Sequence, residues 1–244
     1  MDSHALPWNP LGDLHASCGG AAEHRDEAVA RYSFAIPNAA AIEAIASSSP
    51  EGVVELGAGL GYWGRILSDG GVHVTAYDIA PPPSDRNRWY AGRAPWHPVA
   101  EGDIASVEAH PNRTLLLVWP TRNETWAAEA LDLHHCSGGG AVVVVGEPPG
   151  GRTGDDSFHA MLGHLPQCLA CRYHSSGSAC TCNTPQLWSQ VGEVEIPRWQ
   201  GIDDSLSIYT RSDGPDPERR RRRRIRWASA PRRPDGPRLE VRHV

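Results

Sequence analysis

The sequence predicts an α/β fold with a doubly wound, mostly parallel sheet of about seven strands. Short, continuous apolar runs such as Thr114–Trp119 and Ala141–Val145 alternate with helical segments, which is typical of parallel strands that are covered on both faces. A glycine-rich turn joins the first apolar run to a helix. Two later segments, Gly192–Ile196 and Ser205–Tyr209, alternate apolar and polar residues and predict an antiparallel pair at one edge of the sheet.

The individual elements are predicted in chain order from apolar spacing and from the residues at their ends. A helical pattern starts near Glu27 and breaks before Pro37, and Asn38 is a suitable N-cap for a second helix over Ala39–Ala46. The other predicted elements are strands at Val53–Leu56 and His73–Tyr77 with a helix at Tyr62–Asp69 between them, and a helix at Trp126–His134 between the two long apolar runs.

Composition divides the chain into one domain with two flanking segments and an insertion. Residues 1–27 are rich in Gly, Pro, Ala and His and show little periodicity, so we expect an irregular lead-in. Residues 28–211 form the predicted domain, with a cysteine-rich insertion at about 163–190. Residues 212–244 are rich in Pro and Arg and poor in apolar residues, and we expect them to be disordered.

Charge and hydropathy limit the class of protein. All 23 basic residues are arginine; residues 1–210 hold 11 of them against 24 acidic residues, whereas residues 211–244 hold 12 against 5. The predicted domain is therefore acidic, and we expect no nucleic-acid-binding surface outside the arginine-rich tail. No apolar run approaches the length of a transmembrane helix, and the N-terminus lacks the pattern of a signal peptide. We therefore expect a cytoplasmic protein without a membrane contact.

The glycine-rich turn after the first strand predicts a nucleotide-type cofactor. In Glu55–Gly61 the sequence is Glu-Leu-Gly-Ala-Gly-Leu-Gly, and glycines let the backbone turn sharply and approach a ligand closely. Asp78 follows Glu55 by 23 residues, at the end of the predicted second strand, where a carboxylate can accept both ribose hydroxyl groups. A dinucleotide loop would have Gly-x-Gly-x-x-Gly, whereas the third glycine comes one residue earlier here.

This arrangement resembles the class I methyltransferases that use S-adenosylmethionine (SAM), whose fold is Rossmann-like. In that family an acid precedes Gly-x-Gly-x-Gly, a second acid holds the ribose, and an Asp after the third strand reaches the adenine. The resemblance covers residues from about 30 to 160 and more loosely to 210, and segments such as Tyr32–Pro37 and Thr153–His159 resemble an actinobacterial branch. It implies SAM contacts from Glu55, Gly57, Gly59, Gly61, Asp78 and Asp103.

Residues directly after the fourth and fifth strands are expected at the catalytic rim, because ligands of doubly wound sheets bind beyond the carboxyl ends of the strands. Trp119 follows the fourth strand and is either a wall beside the sulfonium or a core residue. In the amino-methyltransferases whose loop it resembles, a polar residue stands at this position. The tryptophan therefore argues against methylation of a nucleobase nitrogen.

Two residues after the fifth strand are candidate general bases. Glu147 follows the strand directly, and His159 lies near the start of the next predicted helix, which Asp155 or Asp156 can cap. Six residues on other segments are expected to fold over the site and to line an acceptor pocket, and Tyr32 is also expected to contact the cofactor: Tyr32, Ser33, Trp89, Tyr90, Trp96 and His97.

The cysteine-rich insertion allows three interpretations. Cys168, Cys171, Cys180 and Cys182 could supply four thiolates to a structural zinc ion. The spacing of the second pair is tighter than is usual for zinc ligands, so free thiols in a loop and disulfides remain alternatives. Four thiolates would leave no open position on the metal, so such a zinc ion would brace the insertion without acting in catalysis.

The sequence therefore predicts a SAM-dependent methyltransferase that acts on a small molecule or a peptide, with specialised metabolism as the expected context. Two alternatives share the SAM site: an enzyme that transfers or cyclises the aminocarboxypropyl group of SAM, and a non-catalytic SAM-binding protein. The six consecutive arginines at 219–224 are either a solvated tail or an electrostatic tether to nucleic acid or an acidic partner.

Overall fold

The computed structural model describes residues 8–87, 89–164 and 186–212. Within these ranges, seven strands form one sheet in the order β3-β2-β1-β4-β5-β7-β6. The strands are β1 Val53–Leu56, β2 Val74–Asp78, β3 Val99–Glu101, β4 Thr114–Val118, β5 Ala141–Gly146, β6 Trp188–Glu195 and β7 Ser205–Arg211. Strands β1 to β5 are parallel to one another, and β7 pairs antiparallel with both β5 and β6. The predicted fold class and its antiparallel edge are confirmed.

Six α-helices accompany the strands in the described part of the chain. They are α1 Pro10–Cys18, α2 Arg25–Arg31, α3 Ala39–Ser48, α4 Tyr62–Asp69, α5 Trp126–Ser137 and α6 Asp156–Met161. Two short 3₁₀ helices, Ala22–His24 and Ile104–Ala109, complete the set. None of these helices is long and apolar enough to cross a membrane.

The sheet separates two apolar clusters, and alternate residues of each strand point to opposite clusters. Val53 of β1 and Leu116 of β4 pack in the cluster that also contains residues of α3 and α4. Their neighbours Val54 and Leu115 pack in the other cluster, with residues of α5 and α6. Since both faces of the central strands are covered, the sequence there consists of continuous apolar runs.

The predicted lead-in is wrong for part of its length, because Pro10–Cys18 is the helix α1. Asn9 is its N-cap and accepts a hydrogen bond from the Gly12 amide (3.1 Å). Asn9 also accepts a hydrogen bond from the hydroxyl of Tyr62 (2.8 Å), which itself accepts one from the Leu11 amide (3.0 Å). The helix is short and only weakly amphipathic, so these contacts with α4 and the burial of Leu11 hold it in place.

Other element boundaries differ from the prediction by a few residues. The helix α3 begins after its predicted cap, since Asn38 accepts a hydrogen bond from the Ala41 amide (2.9 Å), but it extends to Ser48. The helix α5 continues past His134 to Ser137 and ends at Gly138, which has a left-handed backbone. The strand β6 begins at Trp188, before the predicted alternating segment.

Two predicted features fall on residues that the structure does not describe. The four cysteines proposed as zinc ligands and the arginine-rich tail lie outside the described ranges. Within the described ranges, no group of three or more His, Cys, Asp or Glu side chains is arranged to hold a metal ion.

Candidate functional site

The glycine loop between β1 and α4 lies at the carboxyl edge of the sheet. Gly57, Gly59 and Gly61 have φ angles of 73°, 56° and 70°, a left-handed backbone that side chains with a Cβ disfavour. The amide of Gly57 donates to the carbonyl oxygen of Tyr77 in β2 (2.9 Å). The loop is therefore tied to the end of the neighbouring strand, where Asp78 follows.

Asp78 is fixed by hydrogen bonds from backbone amides on two sides. Its Oδ2 accepts from the Gly59 amide (2.9 Å), and its Oδ1 accepts from the Ala80 amide (2.8 Å). The residue is 7% exposed. The carboxylate at the end of the second strand thus contacts the glycine loop directly.

Glu55 of β1 is a buried carboxyl group next to Asp78. It is 2% exposed, and burial together with the charge of Asp78 raises its pKa to about 8, against a lowering contribution from the Gly64 amide. Its Oε2 has no hydrogen-bond partner among the described residues. An unpartnered buried carboxyl oxygen is energetically costly, and it marks a position where a donor from a ligand would be accommodated.

The segment between β2 and β3 folds over the glycine loop. The Trp96 amide donates to the carbonyl oxygen of Leu60 (2.8 Å). The ring of Tyr90 lies against Gly59, where an added Cβ would be 2.5 Å from its Cε2 atom, and it is 6% exposed. Trp126, the first residue of α5, lies against Gly57 in the same way, at 3.0 Å. Two aromatic rings therefore lie directly against the first two glycines of the loop.

Two residues near the ends of β2 and β3 lie at the edge of this site. Asp103 is exposed, and its Oδ1 accepts from the Ala105 amide (2.9 Å), so that it caps the following 3₁₀ helix. Ile79 directly follows Asp78 and is 68% exposed. Ile79 was not predicted as a site residue, although a large apolar residue directly after the strand-two acid was the available signal.

Tyr32 belongs to an aromatic cluster beside the glycine loop. Its ring is stacked on Trp96 (5.6 Å, 15°) and packs edge-on against Tyr62 (5.4 Å). Trp96 in turn donates from its indole nitrogen to the carbonyl oxygen of Arg31 (2.9 Å). The cluster joins the end of α2 to the segment that covers the loop, and Tyr32 is buried within it.

Trp119 lies at the carboxyl end of β4 with a left-handed backbone, at φ 52°. Such a conformation is uncommon for a bulky residue. It persists where surrounding contacts enforce it, often at functional sites. Its amide donates to the Val145 carbonyl oxygen (2.8 Å), and its indole nitrogen donates to Asp204 Oδ1 (2.7 Å). The ring of Phe34 is stacked on the indole at 4.8 Å and 10°.

Glu147 is buried, and both of its carboxylate oxygens accept hydrogen bonds. Oε2 accepts from the Arg152 amide (2.7 Å), and Oε1 accepts from the Asp203 amide (3.1 Å) and the Arg152 guanidinium (3.4 Å). Arg152 also donates to the Gly201 carbonyl oxygen (2.8 Å). In this arrangement Glu147 joins the loop after β5 to the loop before β7.

His159 in α6 is buried, and both of its ring nitrogens are engaged. Nε2 donates to the Thr153 carbonyl oxygen (2.9 Å), and Nδ1 lies 3.3 Å from Nδ1 of His164, whose Nε2 lies 2.8 Å from the Tyr209 hydroxyl. Burial lowers the pKa of His159 and of His164. Two neutral imidazoles can complete this chain, with Tyr209 donating to His164 and His164 donating to His159.

Asp204, just before β7, is a buried carboxyl group that the sequence did not mark as a site residue. It is 1% exposed, and burial raises its pKa to about 7. The hydrogen bond from Trp119 joins residues that are 85 positions apart in sequence. The only sequence signal was an acidic pair directly before a predicted strand, which is too common a pattern to predict this contact.

Comparisons with known proteins yield a likeness of fold and no sequence relative. No family model and no curated protein matches the sequence. Magnesium protoporphyrin IX methyltransferase from Synechocystis PCC 6803 with bound S-adenosylhomocysteine has a TM-score of 0.40 at 11% identity, over 71% of this chain and 80% of the other.

Two further solved structures are similar to the same degree. An O-methyltransferase family protein from Burkholderia thailandensis has a TM-score of 0.42 at 14% identity, over 83% of this chain and 62% of the other. Human N-acetylserotonin methyltransferase in complex with SAM has a TM-score of 0.37 at 12% identity, over 71% of this chain and 51% of the other. At these values the likeness concerns the fold and carries no information on function, which rests on the site residues.

Proposed function

We propose that this chain is a SAM-dependent methyltransferase that acts on a small molecule or a peptide in specialised metabolism. The observation that carries the proposal is the arrangement at the carboxyl ends of β1 and β2. There Asp78 is fixed against Gly59 of the loop, beside Glu55 with its unpartnered buried oxygen. The two carboxyl groups and the glycine loop fit the ribose and the positively charged end of SAM.

The charge of the site supports SAM over a neutral or anionic nucleotide. SAM carries a sulfonium ion and a protonated amino group, and both favour a site with carboxylates. The raised pKa of Glu55 indicates that its charged form lacks a cationic partner in the described residues. A dinucleotide would bring the anionic pyrophosphate to the glycine loop, where it would leave Glu55 without a cationic partner.

The remaining contacts predicted for the cofactor are part of the proposal. Asp103 and the exposed Ile79 lie at the edge of the site, where they can contact the adenine by hydrogen bonding and by apolar packing. Tyr32 and Trp119 lie on elements that flank the glycine loop and the end of β4. SAM supplies a methyl group on a sulfonium, which is already a good electrophile, so the chain mainly has to align the acceptor with it.

Glu147 and His159 are the proposed general bases, and both are engaged elsewhere in this structure. Glu147 accepts three hydrogen bonds from protein groups. The Nδ1 lone pair of His159 faces His164, and its Nε2 faces a carbonyl oxygen. For either residue to accept a proton from the methyl acceptor, it has to exchange one of these contacts for one with the acceptor.

The proposal predicts that replacement of Asp78 weakens SAM binding. Asp78→Ala removes the carboxylate, whereas Asp78→Asn keeps its shape, and each should weaken SAM binding by about tenfold or more, because charge-assisted hydrogen bonds to a ligand are lost. Isothermal titration calorimetry with SAM measures the affinity, and thermal unfolding of each variant shows whether the fold persists. Glu43→Ala, which removes an exposed carboxylate on α3, is the control.

Unchanged SAM affinity in folded Asp78 variants, or no SAM binding by the unaltered protein, would contradict the proposal. Native mass spectrometry of the purified protein provides a second measurement, since a SAM enzyme often retains SAM or S-adenosylhomocysteine. After incubation with acceptors, S-adenosylhomocysteine as the product indicates methyl transfer. Methylthioadenosine would instead indicate transfer of the aminocarboxypropyl group.

A further inference from the structure

Arg25 at the start of α2 has a partly buried guanidinium whose hydrogen-bond donors are not fully used. Its Nε and Nη2 atoms are buried and have no hydrogen-bond partner among the described residues. The carboxylate of Asp26 is exposed and lies 3.9 Å from Nη1, at the outer limit of an ion pair. Buried guanidinium donors without an acceptor are costly, so this position is suited to an anionic group supplied from outside the described chain.

The guanidinium is held in place by aromatic rings at the catalytic rim. Its Cζ atom lies 4.8 Å from the ring centre of Trp119 and 5.7 Å from that of Phe34. Since the two rings are themselves 4.8 Å apart, the three groups form a compact triangle. An arginine packed against two rings in this way has little freedom to turn, and its planar fork matches the two oxygens of a carboxylate.

The acids near Arg25 do not supply the missing acceptor. The charges of Asp204 and Glu147 favour the protonated guanidinium, but burial has the larger effect and lowers the pKa of Arg25. Asp204 directs Oδ1 to the indole of Trp119, and Glu147 accepts from Arg152 and Asp203. Neither forms an ion pair with Arg25 in the described part of the chain.

The same cluster has an apolar, planar side that reaches the surface. Trp89, from the segment that covers the glycine loop, packs edge-on against Phe34 at 5.2 Å and is 49% exposed. Trp119 connects the cluster to the end of β4, where the acceptor of a doubly wound enzyme is expected. Flat aromatic walls beside a fixed guanidinium are suited to a planar ligand with a carboxylate.

From these contacts we infer that Arg25, Phe34 and Trp119 form an acceptor subsite for a planar aromatic carboxylate, whose carboxylate binds the free donors of Arg25. The identification of this ligand as the methyl acceptor rests on the proposed function, whereas the binding of a carboxylate rests on the Arg25 contacts alone. It assigns a substrate class to the methyl transfer: aromatic acids that carry a hydroxyl or amino group to be methylated.

The test is binding of 4-hydroxybenzoate to the full chain in the absence of SAM, compared with its uncharged amide, 4-hydroxybenzamide. Quenching of tryptophan fluorescence and calorimetry measure both affinities. The acid is expected to bind about tenfold more tightly than the amide, as a charge-assisted bidentate contact implies. Equal affinity of the two compounds, or binding of neither, would overturn the inference without using any variant.

Variants locate the contact. Arg25→Gln is expected to remove the preference for the acid, and Arg25→Lys to retain part of it, with unfolding measured for each. Arg122→Gln removes an exposed arginine three positions after Trp119 and should leave the preference intact. If Arg122→Gln weakens binding of the acid as much as Arg25→Gln does, the acid is attracted by the positive charge of arginines in general, and the subsite is refuted. If the unaltered protein does not bind SAM but still prefers the acid to the amide, the result counts against the proposed function only.

Discussion

The ring of Tyr90 over Gly59 is the contact that most closely determines the space at the glycine loop. Gly59 has φ 56°, and a Cβ at this position would meet the tyrosine ring at 2.5 Å. The left-handed backbone alone disfavours alanine by roughly 1–2 kcal/mol. The steric contact adds to this cost, because the buried ring has to move.

We predict that Gly59→Ala destabilises the protein by more than the backbone cost, and that Tyr90→Ala relieves the excess. In a double-mutant cycle measured by urea unfolding, the coupling between the two positions should be on the order of 1 kcal/mol. Gly71→Ala is the matched control, since Gly71 has φ 84° but an added Cβ there would meet nothing within 4 Å. Its cost should be the same with and without Tyr90. A coupling near zero at Gly59 would contradict this contact.

Residues of the site differ in how far the sequence can predict them. Glu55 and Asp78 are predictable, because each is tied to a glycine loop whose spacing is local in the chain. The contact between Arg25 and Trp119 is not predictable, since it joins the start of α2 to the end of the distant strand β4. Asp204 reaches the rim only because β7 returns antiparallel beside β5. The loop residues that meet there depend on the register in which β5 and β7 pair, and spacing along the chain does not predict that register.

At the scale of elements, helix caps were the most predictable features. Asp155 Oδ1 accepts from the Phe158 amide at 2.8 Å, so Asp155 is the cap of α6, and Asp156 is exposed in the first turn. The helix α1 was missed despite its Asn-Pro start, because its apolar face is small and its position depends on contacts with Tyr62. Local end signals predict α3 and α6, whereas α1 depends on contacts with Tyr62 that the neighbouring sequence does not indicate.

We predict that Asp155→Ala destabilises the protein by about 1 kcal/mol, the usual cost of removing an N-cap. The neighbouring Asp156→Ala removes only an exposed carboxylate and should cost no more than a few tenths of a kcal/mol. Chemical unfolding of the two variants under one set of conditions makes the comparison. If both variants lose the same stability, the cap assignment is wrong and the effect belongs to the charge of the helix terminus.

At the scale of the whole molecule, two buried carboxyl groups connect stability to pH. The pKa of Glu55 is raised from 4.5 to about 8 and that of Asp204 from 3.8 to about 7, in both cases chiefly by burial. The native state therefore holds protons that the unfolded chain releases between these values. The stabilisation from such groups is complete below the unfolded pKa and is lost as the pH rises through the folded pKa.

Glu55 and Asp204 should therefore lower the stability as the pH rises from about 5 to about 8.5, and Glu55→Gln should remove the Glu55 share of that loss. Histidines whose pKa values are lowered by burial, such as His159 and His164, act in the opposite direction below about 6.5, so the slopes are compared between variants. Glutamine keeps the size of the side chain and is neutral at every pH, so its variant should be the more stable of the two at the alkaline end. Asp204 still titrates, so its share of the slope remains, and Asp204→Asn should remove that share in the double variant. Urea unfolding across this pH range measures the slopes, with Glu43→Gln, an exposed carboxylate, as the control. A slope that is unchanged by Glu55→Gln would show that Glu55 is ionised in the native state, and the account of its buried, unpartnered oxygen would then be wrong.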